Sequence, residues 1–202
     1  SGFDGGTHTC FEDLAVMRTI PNAIVCDPCD QVQLDWMVRE CAARNDGAIH
    51  YIRAYRKNVR EVYEPGTKFE LGKGQVLVPG TDVLLVGSGY LMADALDTAE
   101  ELGRRGISVE VVDPVTVKPF DEEIIWKEAQ GKKLVVTYEN HSVINGIGSA
   151  VADVLAKHGA GVPLLKLGAQ DVFGQVGLVD LLKKEFRLTS PDAVQAIEAA
   201  LA

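Results

Sequence analysis

The sequence has no hydrophobic run approaching the roughly 20 residues that a membrane-spanning helix needs, and no basic stretch followed by an apolar one at its N-terminus. A cytoplasmic protein with no membrane partner is therefore expected. Positive charge is also in short supply. Lys and Arg number 20 against 29 Asp and Glu, for a net charge of −9, and the basic residues are dispersed apart from the stretch YIRAYRKNVR. That balance argues against nucleic acid as a bulk partner. No internal repeat or low-complexity tract interrupts the chain. Cysteine is sparse, with Cys10, Cys26, Cys29 and Cys41 all in the first quarter. Cys26 and Cys29 form C-D-P-C, the spacing of a redox dithiol or of half a zinc site. The longer βαβ context of the first is missing, and Cys10 and Cys41 do not make the second close pair that zinc needs. Ordinary structural thiols are the stronger reading.

What is present is a chain of 202 residues, 47% hydrophobic and 24% charged, enough for one large domain or two small ones. It opens Ser-Gly rather than Met and places Asp4 and His8 in a glycine-rich loop, DGGTH, at the very start. Polar groups of this kind are poorly used at a frayed terminus, which suggests a processed end or a piece of something longer.

Along the chain, FEDLAVMRTI has helical spacing, with Thr9 as a cap and Glu12 completing a capping box, and Pro21 ends it. AIVC reads as a buried strand. Asp30 then caps a helix carrying Val32, Leu34, Trp36, Met37 and Cys41, which Asn45-Asp46-Gly47 stops, and AIHYIRAY reads as a second strand. From 61 to 74 periodicity weakens, as in a linker. Beyond it strands (QVLVPG, DVLLVGSG, SVEVVDP, KLVVTYE, PLLKLGA) alternate with helices (MADALDTAEELGRRG, DEEIIWKEAQ, INGIGSAVADVLAKHG), and VGLVDLLKKEF and SPDAVQAIEAALA close the chain as helices. The fold class expected is α/β, with a mostly parallel sheet covered by helices on both faces.

Four places stand out chemically. VLLVGSGYLMADALDTAEELGRRGISVEVVD has the order of a dinucleotide fingerprint, ending on Asp113, but Met92 replaces the third glycine and Tyr90 stands where a diphosphate would lie. A structural turn competes there with an anion site. Glu139 and His141 end a strand, where open α/β sheets bind ligands, and are read as interface residues before chemical ones. His158, near a helix C-terminus, is a partner for the helix dipole. Arg53, Arg56, Lys57 and Arg60 follow a strand. Alternation puts Tyr51, Arg53 and Tyr55 on one face and lets Arg56 leave the strand end, where a guanidinium fork suits a phosphate or carboxylate.

Taken in order, DGGTH, FEDLAVMRTIPN, DPCDQVQ, IRAYRKN, ENHSVINGIGSAV and DVFGQVG resemble the C-terminal half of transketolase-type thiamine diphosphate enzymes. The chain is similar above all to the separate C-terminal subunits of split bacterial transketolases, and also to 1-deoxyxylulose-5-phosphate synthase. The resemblance implies that residues 1–60 are the last part of a pyrimidine-binding domain, 61–74 a linker, and 75–202 a transketolase C-terminal domain. It implies a parent that transfers a two-carbon ketol unit between phosphorylated sugars using thiamine diphosphate and Mg²⁺, as a homodimer completed by a diphosphate-binding domain or subunit. His8 then corresponds to a catalytic histidine near the reacting carbon, Asp4 to an aspartate that contacts a sugar hydroxyl, and Arg56 to the arginine that binds the sugar phosphate. Gly6 stands where the family has proline, a departure expected to loosen the loop. The cofactor-activating glutamate and the diphosphate and Mg²⁺ ligands lie upstream in the family. The chain alone is therefore expected to be inactive and not to bind the cofactor. The alternatives are a non-catalytic dimerisation or regulatory anion-binding module, or a fragment of deoxyxylulose-phosphate synthase or of a 2-oxo acid dehydrogenase beta subunit.

Overall fold

A computed structural model describes residues 5–7, 10–56 and 58–202. Asp4, His8, Thr9 and Lys57 lie outside the described residues.

Short apolar runs become strands because they are buried on both faces. β4 (Val83–Gly87) and β5 (Val109–Asp113) are buried at every position. With β3 (Gln75–Val78), β6 (Leu134–Ser142) and β7 (Leu164–Ala169) they make a five-stranded sheet in the order β3-β5-β4-β6-β7. The β4–β5, β4–β6 and β6–β7 pairs are parallel, and only the edge strand β3 is antiparallel. Successive side chains point to opposite faces, so one strand feeds two cores. Val83, Leu85, Val111 and Tyr138 pack with α3 (Met92–Arg104) and α7 (Ser190–Leu201), which contributes Val194 and Ile197. Leu84, Val86, Val112 and Val135 pack with α4 (Glu122–Ala129) and α5 (Ile147–Lys157), through Ile125, Val151 and Val154. The α/β expectation holds, with helices on both faces of a mostly parallel sheet.

The first part of the chain forms α1 (Asp13–Thr19), β1 (Ala23–Cys26), α2 (Gln31–Ala43) and β2 (Ile49–Ile52). β1 and β2 pair in parallel, Ala23 opposite Ile49 and Cys26 opposite Ile52. Two strands do not make an independent sheet. Here β1 is also bonded on its other side by Val117 and Lys118, whose N–H groups donate to the Val25 carbonyl, while the Val25 N–H donates to the Lys118 carbonyl. Leu14, Ala23 and Val25 then join the core beneath α4 and α5, so the apolar interior is continuous between the two parts.

Asp30 caps α2 as expected, its Oδ1 accepting from the Gln33 N–H at 2.8 Å. Thr9, the cap expected for the first helix, lies outside the described residues. That helix begins at Asp13 with Glu12 itself in the cap position, and the Glu12 carboxylate accepts from the Phe11 N–H. Residues 61–74 lack regular structure apart from one bridge, Glu70 to Lys73, yet they are pinned. Asp30 Oδ2 accepts from the N–H groups of Val62 and Tyr63 at 2.8 and 2.7 Å. The Tyr63 hydroxyl donates to Asp113 Oδ2, and its ring meets Phe69 edge-on.

Candidate functional site

The C-terminal ends of β1, β2, β4 and β6 converge, the part of a parallel sheet where ligands bind. β1 delivers Asp27 and β4 the Gly87-Ser88-Gly89 turn. The Asp27 carboxylate is buried and accepts from the Tyr55 hydroxyl at 2.5 Å and from Ser88 Oγ at 2.9 Å, while its carbonyl accepts from the Gly89 N–H. Burial raises the Asp27 pKa, and Arg53, Tyr55 and Ser88 oppose the rise. The group that meets the Ser88 hydroxyl at this glycine turn is therefore the protein's own carboxyl, and the Ser88 and Gly89 N–H groups donate to the carbonyls of Tyr138 and Asp27. Gly89 has φ +59°, and a Cβ there would collide with the Tyr55 hydroxyl and Asp27 Oδ2. Asp113, the other half of the fingerprint, is also consumed internally. It accepts from Gln33 Nε2 at 2.6 Å, from the Tyr63 hydroxyl at 2.7 Å and from the Val115 N–H at 2.7 Å. The fingerprint reading gives way to a structural turn, because both of its polar ends are already satisfied.

Beyond β2, Arg53 and Tyr55 do share a face. Arg53 Nε lies 3.0 Å from Asp13 Oδ2, and its two Nη atoms donate to the carbonyls of Asn140 and Cys10 at 2.6 and 2.9 Å. Tyr51 donates to the same Asp13 oxygen at 2.7 Å. Arg60 is paired with Asp97 at 2.8 Å.

At the end of β6, Glu139 is fully buried and receives the Ile147 and Gly148 N–H groups at 2.8 and 2.9 Å, closing the N-terminus of α5. Burial raises its pKa to about 7, against the pull of those two N–H groups. His141 Nδ1 lies 2.8 Å from the Ser142 carbonyl, and Nε2 accepts from the Ala15 N–H at 3.3 Å in the first turn of α1. That pattern fixes the neutral Nδ1–H tautomer, consistent with burial lowering the His141 pKa. The 3.8 Å approach of Glu139 to His141 is then not an ion pair, since burial favours the neutral form of each. His141 ties α1 to β6, so its place is the junction between the two parts of the chain. His158 follows α5 and stacks on Trp126, ring centroids 4.4 Å apart.

Cys26, Cys29 and Cys41 are buried free thiols, and burial raises the pKa of each. Among the described residues no group of three or more His, Cys, Asp or Glu is arranged to hold a metal ion. Nor does the dinucleotide-like turn offer a diphosphate its N–H groups, since Ser88 and Gly89 donate to the carbonyls of Tyr138 and Asp27.

A cleft of about 520 Å³ opens beside this convergence, lined by Gly5, Gly6, Tyr55, Arg56, Tyr90 and Lys183 among others. It brings Arg56 to the same space as the glycines of DGGTH. Asp4 and His8 lie outside the described residues. Sequence reasoning passed over Asp27 and Asp13, which show no periodicity. Only the place of Asp27 just after a buried strand marks it.

The family model for the transketolase C-terminal domain matches residues 72–192, and that for the transketolase pyrimidine binding domain matches residues 1–62. The chain is 43% identical over 193 residues to a 6-deoxy-6-sulfo-D-fructose transketolase subunit of Clostridium sp. (strain MSTE9), covering 96% of this chain and 59% of that one. It is 37% identical over 198 residues to the 1-deoxy-D-xylulose-5-phosphate synthase of Crocosphaera subtropica, covering 97% of this chain and 31% of that protein. A solved structure described as a split gene transketolase, an inactive beta4 tetramer, matches with a TM-score of 0.88 at 39% identity, over 97% of this chain and 62% of that one. The chain thus spans less than two thirds of each of these proteins.

Proposed function

Since the chain belongs to the transketolase family, we propose that it is the C-terminal portion of a thiamine diphosphate-dependent transferase. On this reading its parent moves a two-carbon ketol unit between anionic sugars, and the chain by itself is inactive. Residues 1–60 end the pyrimidine-binding domain, 61–74 link it to the next, and 75–202 form the C-terminal domain. The cofactor's diphosphate and Mg²⁺ are held by a partner domain or subunit, and the parent works as a dimer in the cytoplasm. When bound, the cofactor supplies the carbanion. This chain supplies recognition: Arg56 grips the anionic end of the sugar, Asp4 a hydroxyl, and His8 a group near the reacting carbon.

The observation that carries the reading is the placement of Arg56, just beyond the C-terminal end of β2 and on the same cleft as Gly5 and Gly6. A guanidinium fork binds phosphate and sulfonate alike. The sulfo-sugar relative therefore makes the anion itself a variable of the test. The full-length subunit, paired with its diphosphate-domain partner, is assayed for ketol transfer from phosphorylated and sulfonated ketoses. His8→Ala should abolish most turnover and Arg56→Ala should raise KM for the anionic donors. Unchanged kinetics in both variants would reject the assignments. Micromolar binding of thiamine diphosphate to the present chain alone would show the cofactor site to be misplaced.

The rival reading, an anion-binding module built on the Gly-Ser-Gly turn, is disfavoured by Asp27, which fills that turn.

A further inference from the structure

We infer that Arg53 is a positioning residue for substrate recognition, acting through Arg56; this rests on the reading of Arg56 given above. Arg53 is 10% exposed, and each of its three guanidinium nitrogens serves a different segment. Nε reaches the Asp13 carboxylate in α1, one Nη the Cys10 carbonyl that follows the DGGTH loop, and the other the Asn140 carbonyl at the end of β6. Its own N–H donates to the Cys26 carbonyl at 2.9 Å, carrying the β1–β2 ladder one residue past the strand. Two residues on, Tyr55 is fixed by its hydroxyl to Asp27. Arg56 therefore leaves the sheet from a chain held at residue 53 through its backbone and at residue 55 through its side chain.

Among the described residues the buried Asp13 Oδ1 has no hydrogen-bond partner, so Oδ2 alone holds this carboxylate to Arg53 and Tyr51. A planar fork with three separate acceptors is also something a lysine ammonium cannot reproduce, although it keeps the charge. Arg53→Lys therefore separates geometry from electrostatics.

The test is a double-mutant cycle in the full-length subunit paired with its diphosphate-domain partner. Arg56→Ala is expected to raise KM for a phosphorylated or sulfonated donor. Arg53→Lys should raise the same KM by about 10-fold, with kcat changed much less and cofactor affinity unaltered. Combined, the two should be no worse in KM than Arg56→Ala alone, because Arg53 acts only through Arg56. Additive KM effects, or an unchanged KM in folded Arg53→Lys while Arg56→Ala retains its effect, would overturn the role of Arg53 and leave that of Arg56 standing. No KM change in Arg56→Ala would overturn both. Should Arg53→Lys fail to fold, Asp13→Ala removes one of the three acceptors and enters the same cycle. An additive or absent KM effect there likewise rejects the inference.

Discussion

Glu139 offers a direct test of how burial and hydrogen bonding compete at the junction. Its carboxylate is sealed from solvent and accepts two backbone N–H groups at the start of α5, each of which favours the ionised form. Charge-assisted bonds of this kind contribute about 1.5–3 kcal/mol each, whereas dehydrating a carboxylate costs several kcal/mol. Burial prevails and lifts the pKa from 4.5 to about 7. Below pH 4.5 the folded and unfolded chains both hold the proton. As pH rises from 4.5 towards 7 the unfolded chain releases it first, so stability falls through that window and the loss is complete above about 7. The full loss is about 3 kcal/mol.

Glu139→Gln is isosteric with the protonated acid and does not titrate. Urea denaturation followed by circular dichroism, run on both proteins at intervals between pH 4 and 8, isolates this group, because buried acids not coupled to it, such as Asp113, cancel in the difference. The gap between variant and parent should widen in favour of the variant by about 3 kcal/mol as pH rises. A flat gap, or one that widens in favour of Glu139, would refute the reasoning, since the two N–H groups would then have outweighed burial.

Three further outcomes are expected. Asp30→Ala removes a helix cap and strands the N–H groups of Val62 and Tyr63, and should cost about 3 kcal/mol in the same assay; a loss below about 1 kcal/mol would mean that residues 61–74 are not held this way. Gly89→Ala drives a Cβ into the Tyr55 hydroxyl and Asp27 at a φ of +59°, for a loss of about 2 kcal/mol or more. That loss should shrink in a Tyr55→Phe background, and an equal loss there would place the strain elsewhere. Titration with a thiol reagent should find Cys10 reacting at once in the folded chain and Cys26, Cys29 and Cys41 only on unfolding; a second fast thiol would contradict the burial of the C-D-P-C turn.

The elements of this chain were legible because each has a strong local signal. β4 and β5 are uninterrupted Val and Leu runs between turn residues, and α3 and α5 carry apolar residues at helical spacing. The cap at Asp30 was legible for the same reason, since a cap and the N–H that donates to it lie three residues apart. The polar network was not. Asp27 meets Ser88 across 61 positions, His141 meets Ala15 across 126, and Arg53 meets Asn140 across 87. No pattern within a window of the sequence encodes such pairs. They follow from where the strand ends arrive, which is a property of the assembled sheet. The Gly-Ser-Gly turn shows the consequence. Read locally it offers N–H groups to an anion; in the fold the Ser88 and Gly89 N–H groups donate to the carbonyls of Tyr138 and Asp27, and the Asp27 carboxyl takes the Ser88 hydroxyl.

Gly6 carries the same lesson to the edge of the cleft. Set against a family proline, a glycine reads as lost rigidity. In the structure its N–H donates to the Gln175 carbonyl at 2.8 Å, and a Cβ at Gly6 would lie 2.7 Å from the Gly174 carbonyl carbon. Proline would remove the donor and supply the clashing atom together. The two backbones approach because neither Gly6 nor Gly174 has a side chain, and the approach lays the DVFGQVG segment against the DGGTH loop at the mouth of the cleft. The glycine is therefore the condition for close contact between the two loops, and the freedom it grants the unfolded chain is a cost which that contact offsets.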